Sequence, residues 1–108
     1  MRTMDAVKIF KALGNETRLN ILLWLKDPKK NFDPQIHLSV MDDFPGGVCV
    51  GSIRKTAGLS QSTISGFLSI LEDAQLIESR NIGQYTYYRR NEETIKEISK
   101  WIKIELEV

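Results

Sequence analysis

Two short stretches hold the side chains whose types and spacing could do chemistry. In Ser60-Gln61-Ser62-Thr63-Ile64-Ser65 nearly every residue carries a hydroxyl or an amide, and Arg80 and Gln84 follow downstream. Such groups at the start of a helix donate and accept hydrogen bonds beside backbone N–H groups that favour an anion such as phosphate. The second stretch, GGVCVGSI from Gly46 to Ile53, holds the only cysteine, Cys49, which as a thiolate could ligate a soft metal or sense redox state. Blander roles compete with both: hydroxyls cap and solvate surface helices, and a free cysteine commonly packs as a small hydrophobe. Catalysis finds no footing. The one histidine, His37, is far in sequence from Cys49, no glycine-rich phosphate cradle occurs, and no carboxylates pair on a common helical face.

Composition bounds what these residues can belong to. With 108 residues, 42% of them hydrophobic, the chain suits one domain, residues 1–108, around one modest core. Lys and Arg number 15 against 14 Asp and Glu, a formal charge of +1, so there is no bulk pull toward nucleic acid or an anionic membrane. The positive excess is local, in the N-terminal segment and near position 80. No apolar run is long enough to span a bilayer, and the start, MRTMDAVKIFKALG, is amphipathic rather than continuously apolar, so a soluble, cytoplasmic chain is expected. One cysteine forms no internal disulfide, which suits a reducing compartment.

The elements that must position the polar groups follow from periodicity. Met4, Val7, Phe10 and Leu13 recur at helical spacing, and Gly14-Asn15-Glu16 ends that helix and offers a cap for the next. From Thr17 the second helix is apolar nearly all round, which predicts a central position, and Asp27-Pro28 stops it. Residues 27–47 contain all three prolines and a Gly-Gly, and read as a long inserted loop in which Ile36, Leu38 and Val40 alternate as in a short strand. After Gly51 come a helix through Ala57, a break at Gly58-Leu59, and a helix capped by Ser60 that runs to Ala74 with Ile64, Phe67, Leu68 and Leu71 on one face. Leu76–Arg80 and Tyr85–Arg89 form a hairpin around Asn81-Ile82-Gly83-Gln84. Asn91 caps a last helix whose stripe of Ile95, Ile98, Ile102 and Leu106, flanked by Trp101, is wide for a small domain.

Helix, helix, loop, helix-turn-helix, hairpin and helix is the order of a winged helix, mainly α with a small β-hairpin: about five helices and a wing of two or three strands. The strings FKALGNETRLNILLWL (10–25), VCVGSIRKTAGLSQSTISGFLSILEDAQLIESR (48–80) and GQYTYYRR (83–90) resemble the ArsR/SmtB-type bacterial winged-helix repressors. That resemblance implies a homodimeric repressor that binds an inverted repeat in double-stranded DNA and releases it when an inducer binds. On the family pattern Ser60, Gln61, Ser62, Thr63 and Ser65 are implied as base and phosphate contacts, and Arg80 and Gln84 as wing contacts. Phe10, Ile95, Ile98, Trp101 and Ile102 fall on the helices implied as the dimer interface. A winged helix that binds protein instead of DNA is the competing reading, given the near-neutral charge and the insertion.

Departures from the pattern shape the expectations. Gly66 stands where many relatives have His, and Gln84 where a basic residue is frequent, which predicts a shallower salt dependence. Thiolate sensors of the family hold a second cysteine at the position of Gly51, and the last helix has no histidine, so neither a metal nor a cofactor is expected and Cys49 is expected to pack. The identity of any small-molecule inducer is left open. His37, in the alternating run, is expected to be a surface or capping residue.

Overall fold

The first helix, α1 (Thr3–Leu13), turns small side chains inward: Ala6, Ile9 and Ala12 are buried, while Met4, Val7 and Phe10 stay exposed. Of the apolar stripe that marks this helix in the sequence, only Leu13 packs against the core, and Met4, Val7 and Phe10 form its outer face. The structure, a computed structural model, describes residues 1–35 and 43–107. The strand expected at Ile36, Leu38 and Val40 lies outside the described residues, as do His37 and Asp42.

Asn15 ends the turn and caps α2 (Glu16–Lys26), its side chain accepting from Arg18 N at 3.0 Å. Arg18 reaches back to the end of α1, donating from Nε to Ala12 O at 2.7 Å and from an Nη to Lys11 O at 3.1 Å, and so satisfies carbonyls the helix leaves open. Ile21, Leu22 and Leu25 enter the core, but Leu19 and Leu23 are exposed. The second helix takes the central position its composition suggests, packed against α1, the helices over 50–57 and 61–73 and the strand over 85–90, while the side that carries Leu19 and Leu23 is left uncovered in one protomer. Within residues 27–47, expected as loop, Pro28–Asn31 forms one helical turn, α3, with proline at its permissive first position.

The sheet is built from β1 (Val48–Cys49), β2 (Ile77–Ile82) and β3 (Tyr85–Arg90), antiparallel in the order β1-β3-β2. Its hairpin turns on Gly83-Gln84 alone, with Ile82 opposite Tyr85 and Gly83 at φ +62°, the positive φ that a two-residue turn needs. The four-residue turn expected from the sequence is two residues too long. Ile82, β-branched, continues the strand. Between β1 and β2 lie α4 (Val50–Ala57), closed by Gly58 at φ +68°, and α5 (Gln61–Asp73). After β3, Asn91 caps α6 (Glu92–Glu105) by accepting from Thr94 N at 3.4 Å.

One cluster joins Ala6, Ile9 and Ala12 to Ile21, Leu25, Val48, Ile53, Ile64, Leu68, Leu71, Leu76 and Ile98. A second, small cluster pairs Phe44 with Tyr87, with Cys49 and Ile82 at its margin. Among the described residues no helix is long and apolar enough to cross a membrane.

Candidate nucleic-acid interface

Local chemistry sets the start of α5. Ser60 is the N-cap: its Oγ accepts from Thr63 N at 3.3 Å and lies 2.9 Å from Thr63 Oγ1. All of Ser60, Gln61, Ser62, Thr63 and Ser65 are exposed: Ser60 and Thr63 form the cap, Ser62 Oγ lies 3.4 Å from Ser60 Oγ, and one turn on Gln61 Nε2 donates to Ser65 Oγ at 3.3 Å. Ser62, Ser65, Gly66 and Ser69 share one face at helical spacing, all exposed, opposite the buried Ile64, Leu68 and Leu71. A Cβ built on Gly66 would meet nothing within 4 Å. This face is low in relief and rich in hydroxyls, so a groove wall could approach the helix backbone closely along it.

The helix is held at both ends. Gly58 supplies the left-handed residue of the turn before it, and at its C-terminus Gln75, at φ +60°, takes the position usually given to glycine. There Gln75 N donates to Glu72 O at 2.9 Å and Leu76 N to Leu71 O at 3.0 Å, the two bonds that close a Schellman motif and lead directly into β2. Helix and wing are thus joined by three residues, of which Ala74 and Leu76 are buried.

On the wing, Gln84 is exposed at the turn. Arg80 is exposed lower on β2, opposite Tyr87, and its guanidinium faces the Phe44 ring, 5.0 Å from the centroid, while Nη1 donates to Asp43 O. The fold gathers Gln61, Ser62 and Ser65 on α5 and places Arg80 and Gln84 on a separate projection. The approach of Arg80 to Phe44 has no local signal in the sequence, because 36 positions of chain separate the partners.

Cys49 is half-buried and packs, as expected, at the margin of the Phe44–Tyr87 cluster. It pairs with Tyr87 across the sheet, and its backbone N–H donates to Gln35 Oε1 at 2.8 Å. Burial, with smaller contributions from Cys49 and Tyr85, pushes the Tyr87 phenol above its ordinary value, and burial followed by Glu72 does the same at Tyr88. Among the described residues no three His, Cys, Asp or Glu side chains are grouped to hold a metal ion.

At the expected dimer positions, Phe10 on α1 meets Trp101 on α6 edge to face, with centroids 6.1 Å apart. Around this pair Met4, Val7 and Ile104 are exposed and Ile95, Trp101 and Ile102 half-buried. Ile98, 7% exposed, belongs to the protomer's own core and lies beneath these residues on α6.

No family model matches the chain. Over 103 residues it is 44% identical to the uncharacterized HTH-type transcriptional regulator YbzH of Bacillus subtilis, covering 95% of this chain and 100% of that one. Over 88 residues it is 33% identical to the putative arsenical resistance operon repressor ArsR2 of Halobacterium salinarum, covering 82% of this chain and 60% of that one. Among solved structures, the homodimeric winged helix-turn-helix DNA-binding domain Mb0332 of Mycobacterium bovis, a possible ArsR-family regulator, superposes with a TM-score of 0.63 at 25% identity, covering 95% of this chain and 80% of that one. With its fold, its LSQSTIS helix start and these relatives in agreement, the chain belongs to the ArsR-type family of winged helix-turn-helix transcriptional regulators.

Proposed function

We propose that this regulator is a cytoplasmic, homodimeric repressor, one domain over residues 1–108, that reads an inverted repeat by laying α5 in the major groove. The observation that carries this reading is the exposed face of Ser62, Ser65, Gly66 and Ser69, with Gln61 at its N-terminal edge. From Ser62 to Ser69 this face carries only small, uncharged residues, before Asp73 extends it, and close contact with a groove is what such a stretch suits. Ser60 and Thr63, engaged in capping, present their hydroxyls and the helix N-terminus to phosphate, while Arg80 and Gln84 reach backbone or minor groove from the wing. Phe10, Trp101 and Ile102, with Ile95 at the margin, supply the apolar surface joining two copies, so that symmetry in the protein is matched by symmetry in the operator.

Binding to the DNA upstream of the protein's own coding sequence tests the assignment. Gln61→Ala is expected to cost about 1–3 kcal/mol and relax base preference at one position per half-site. Arg80→Ala should weaken binding to all sequences and lower the salt slope by about 0.9 for each phosphate that Arg80 neutralises. Equal affinity for random DNA, with both variants unchanged, would favour a protein-binding winged helix instead.

A further inference from the structure

The outer face of the sheet is covered by the end of the inserted segment. Arg80 pairs with Tyr87 and Glu78 with Arg89, which brings these four side chains to one face, and Cys49 opposite Tyr87 extends that face onto β1. Phe44, 1% exposed, lies over Tyr87. The local sequence explains its placement: in Phe44-Pro45-Gly46-Gly47, proline and a glycine at φ +81° fill the central positions of a turn closed by Gly47 N donating to Phe44 O at 3.0 Å. Gly47 itself is a close approach, since a Cβ there would lie 2.5 Å from Phe44 Cδ2.

Two guanidinium groups share the ring of Phe44 and are treated differently. Arg89 lies 4.0 Å from the ring centroid, donates to Pro45 O at 3.3 Å, and is neutralised by Glu78 at 2.7 Å. Arg80 lies 5.0 Å from the same centroid and donates one N–H to Asp43 O, with no carboxylate partner among the described residues. A ring and a carbonyl restrict the Arg80 side chain, and since among the described residues no carboxylate cancels its charge, the remaining donors of its fork suit a phosphate.

We infer that Phe44 is a positioning residue for DNA binding: the segment Asp43–Gly47 straps the outer face of the wing and preorganises Arg80 toward the DNA backbone. The inference rests on the DNA-binding reading above and gives the inserted segment a role in it. Ordering a long side chain in the free protein removes that entropic cost from the complex.

The test is a double-mutant cycle on the duplex that the full chain selects most strongly from a random library. Phe44→Leu keeps an apolar cover over Tyr87 but removes the aromatic face, and Gly47→Ala displaces the ring while leaving it present. Each is expected to weaken binding by about twofold to tenfold with the salt slope unchanged, because Arg80 still reaches its phosphate at a higher entropic cost. In an Arg80→Ala background neither should weaken binding further. The inference is overturned if both variants leave affinity unchanged, or if they weaken it by the same factor with and without Arg80, which is the result expected of a ring that merely supports the wing. Gln61→Ala separates the two readings: if it weakens binding and neither Phe44→Leu nor Gly47→Ala does, only the positioning role fails. If no duplex is enriched, the DNA-binding reading fails and takes this inference with it.

Discussion

Replacing Gly66 by alanine sets stability against DNA affinity. The residue lies inside α5, exposed, and a Cβ built on it meets nothing within 4 Å, so the methyl group meets no steric resistance in the free protein. Glycine in a helix interior is less favourable than alanine by about 0.8–1.0 kcal/mol, mostly through the entropy of the unfolded chain. Gly66→Ala should therefore stabilise the protein by close to that amount, which for a domain of this size raises Tm by about 4–8 °C. The same methyl group would sit on the face assigned to the groove, between Ser62, Ser65 and Ser69. If that face is closely packed on DNA, forcing in a methyl costs about 1–3 kcal/mol, a loss of affinity between about fivefold and about 150-fold. Thermal and urea denaturation followed by circular dichroism, with DNA titrations on the same preparations, give both numbers. A variant that is no more stable would refute the exposed helical setting of Gly66, and a stabilised variant with unchanged affinity would refute the close approach of this face.

Other consequences follow from the same geometry. Gly58 and Gln75 hold the same left-handed backbone at φ +68° and +60°, so Gly58→Ala should cost about 1–2 kcal/mol while Gln75→Gly should gain about 0.5–1 kcal/mol, both read by denaturation. Val7→Glu, on the outer face of α1, should leave the helical circular dichroism of the protomer intact and abolish the dimer in sedimentation, because the carboxylate would be buried unpaired between two copies. A dimer that survives this change would place the interface elsewhere. Burial raises the Tyr87 phenol above its ordinary 10.0, so the folded chain holds a proton that the unfolded chain releases, and stability falls as pH rises past about 10. Tyr87→Phe should flatten that alkaline decline in Tm, leaving the smaller contribution of Tyr88.

What could be read from the sequence was what neighbours in the chain decide. Ser60 and Asn15 cap the helices they were expected to cap, since a cap depends on residues three positions away. The hairpin was legible but its pairing was not: Asn81 and Ile82 have the composition of turn and strand respectively, and only the fit of Ile82 against Tyr85 shortens the loop to Gly83-Gln84. The inward face of α1 was hidden because alanines carry little periodic signal, while Met4, Val7 and Phe10 advertised the face that points outward. The place of Phe44 over the sheet is hidden for a different reason. Its partners, Tyr87, Arg80 and Arg89, come from strands far along the chain, and the short motif around it marks a turn without saying what the turn covers. Within the polar run after Ser60, Ser60 and Thr63 form the cap of the helix, while Gln61 and Ser65 bond to each other one turn apart, a division that residue types alone do not show.

The central claim, a symmetric dimer reading DNA through α5, is tested most directly by sequencing the duplexes that the full chain enriches from a random library and measuring the stoichiometry on the winner. The account predicts an inverted repeat with half-site centres about one helical turn, or a multiple of it, apart, two chains bound per duplex, and loss of base preference within each half-site for Gln61→Ala. Enrichment of no sequence, or of a single asymmetric site bound by one chain and indifferent to Gln61, would contradict it.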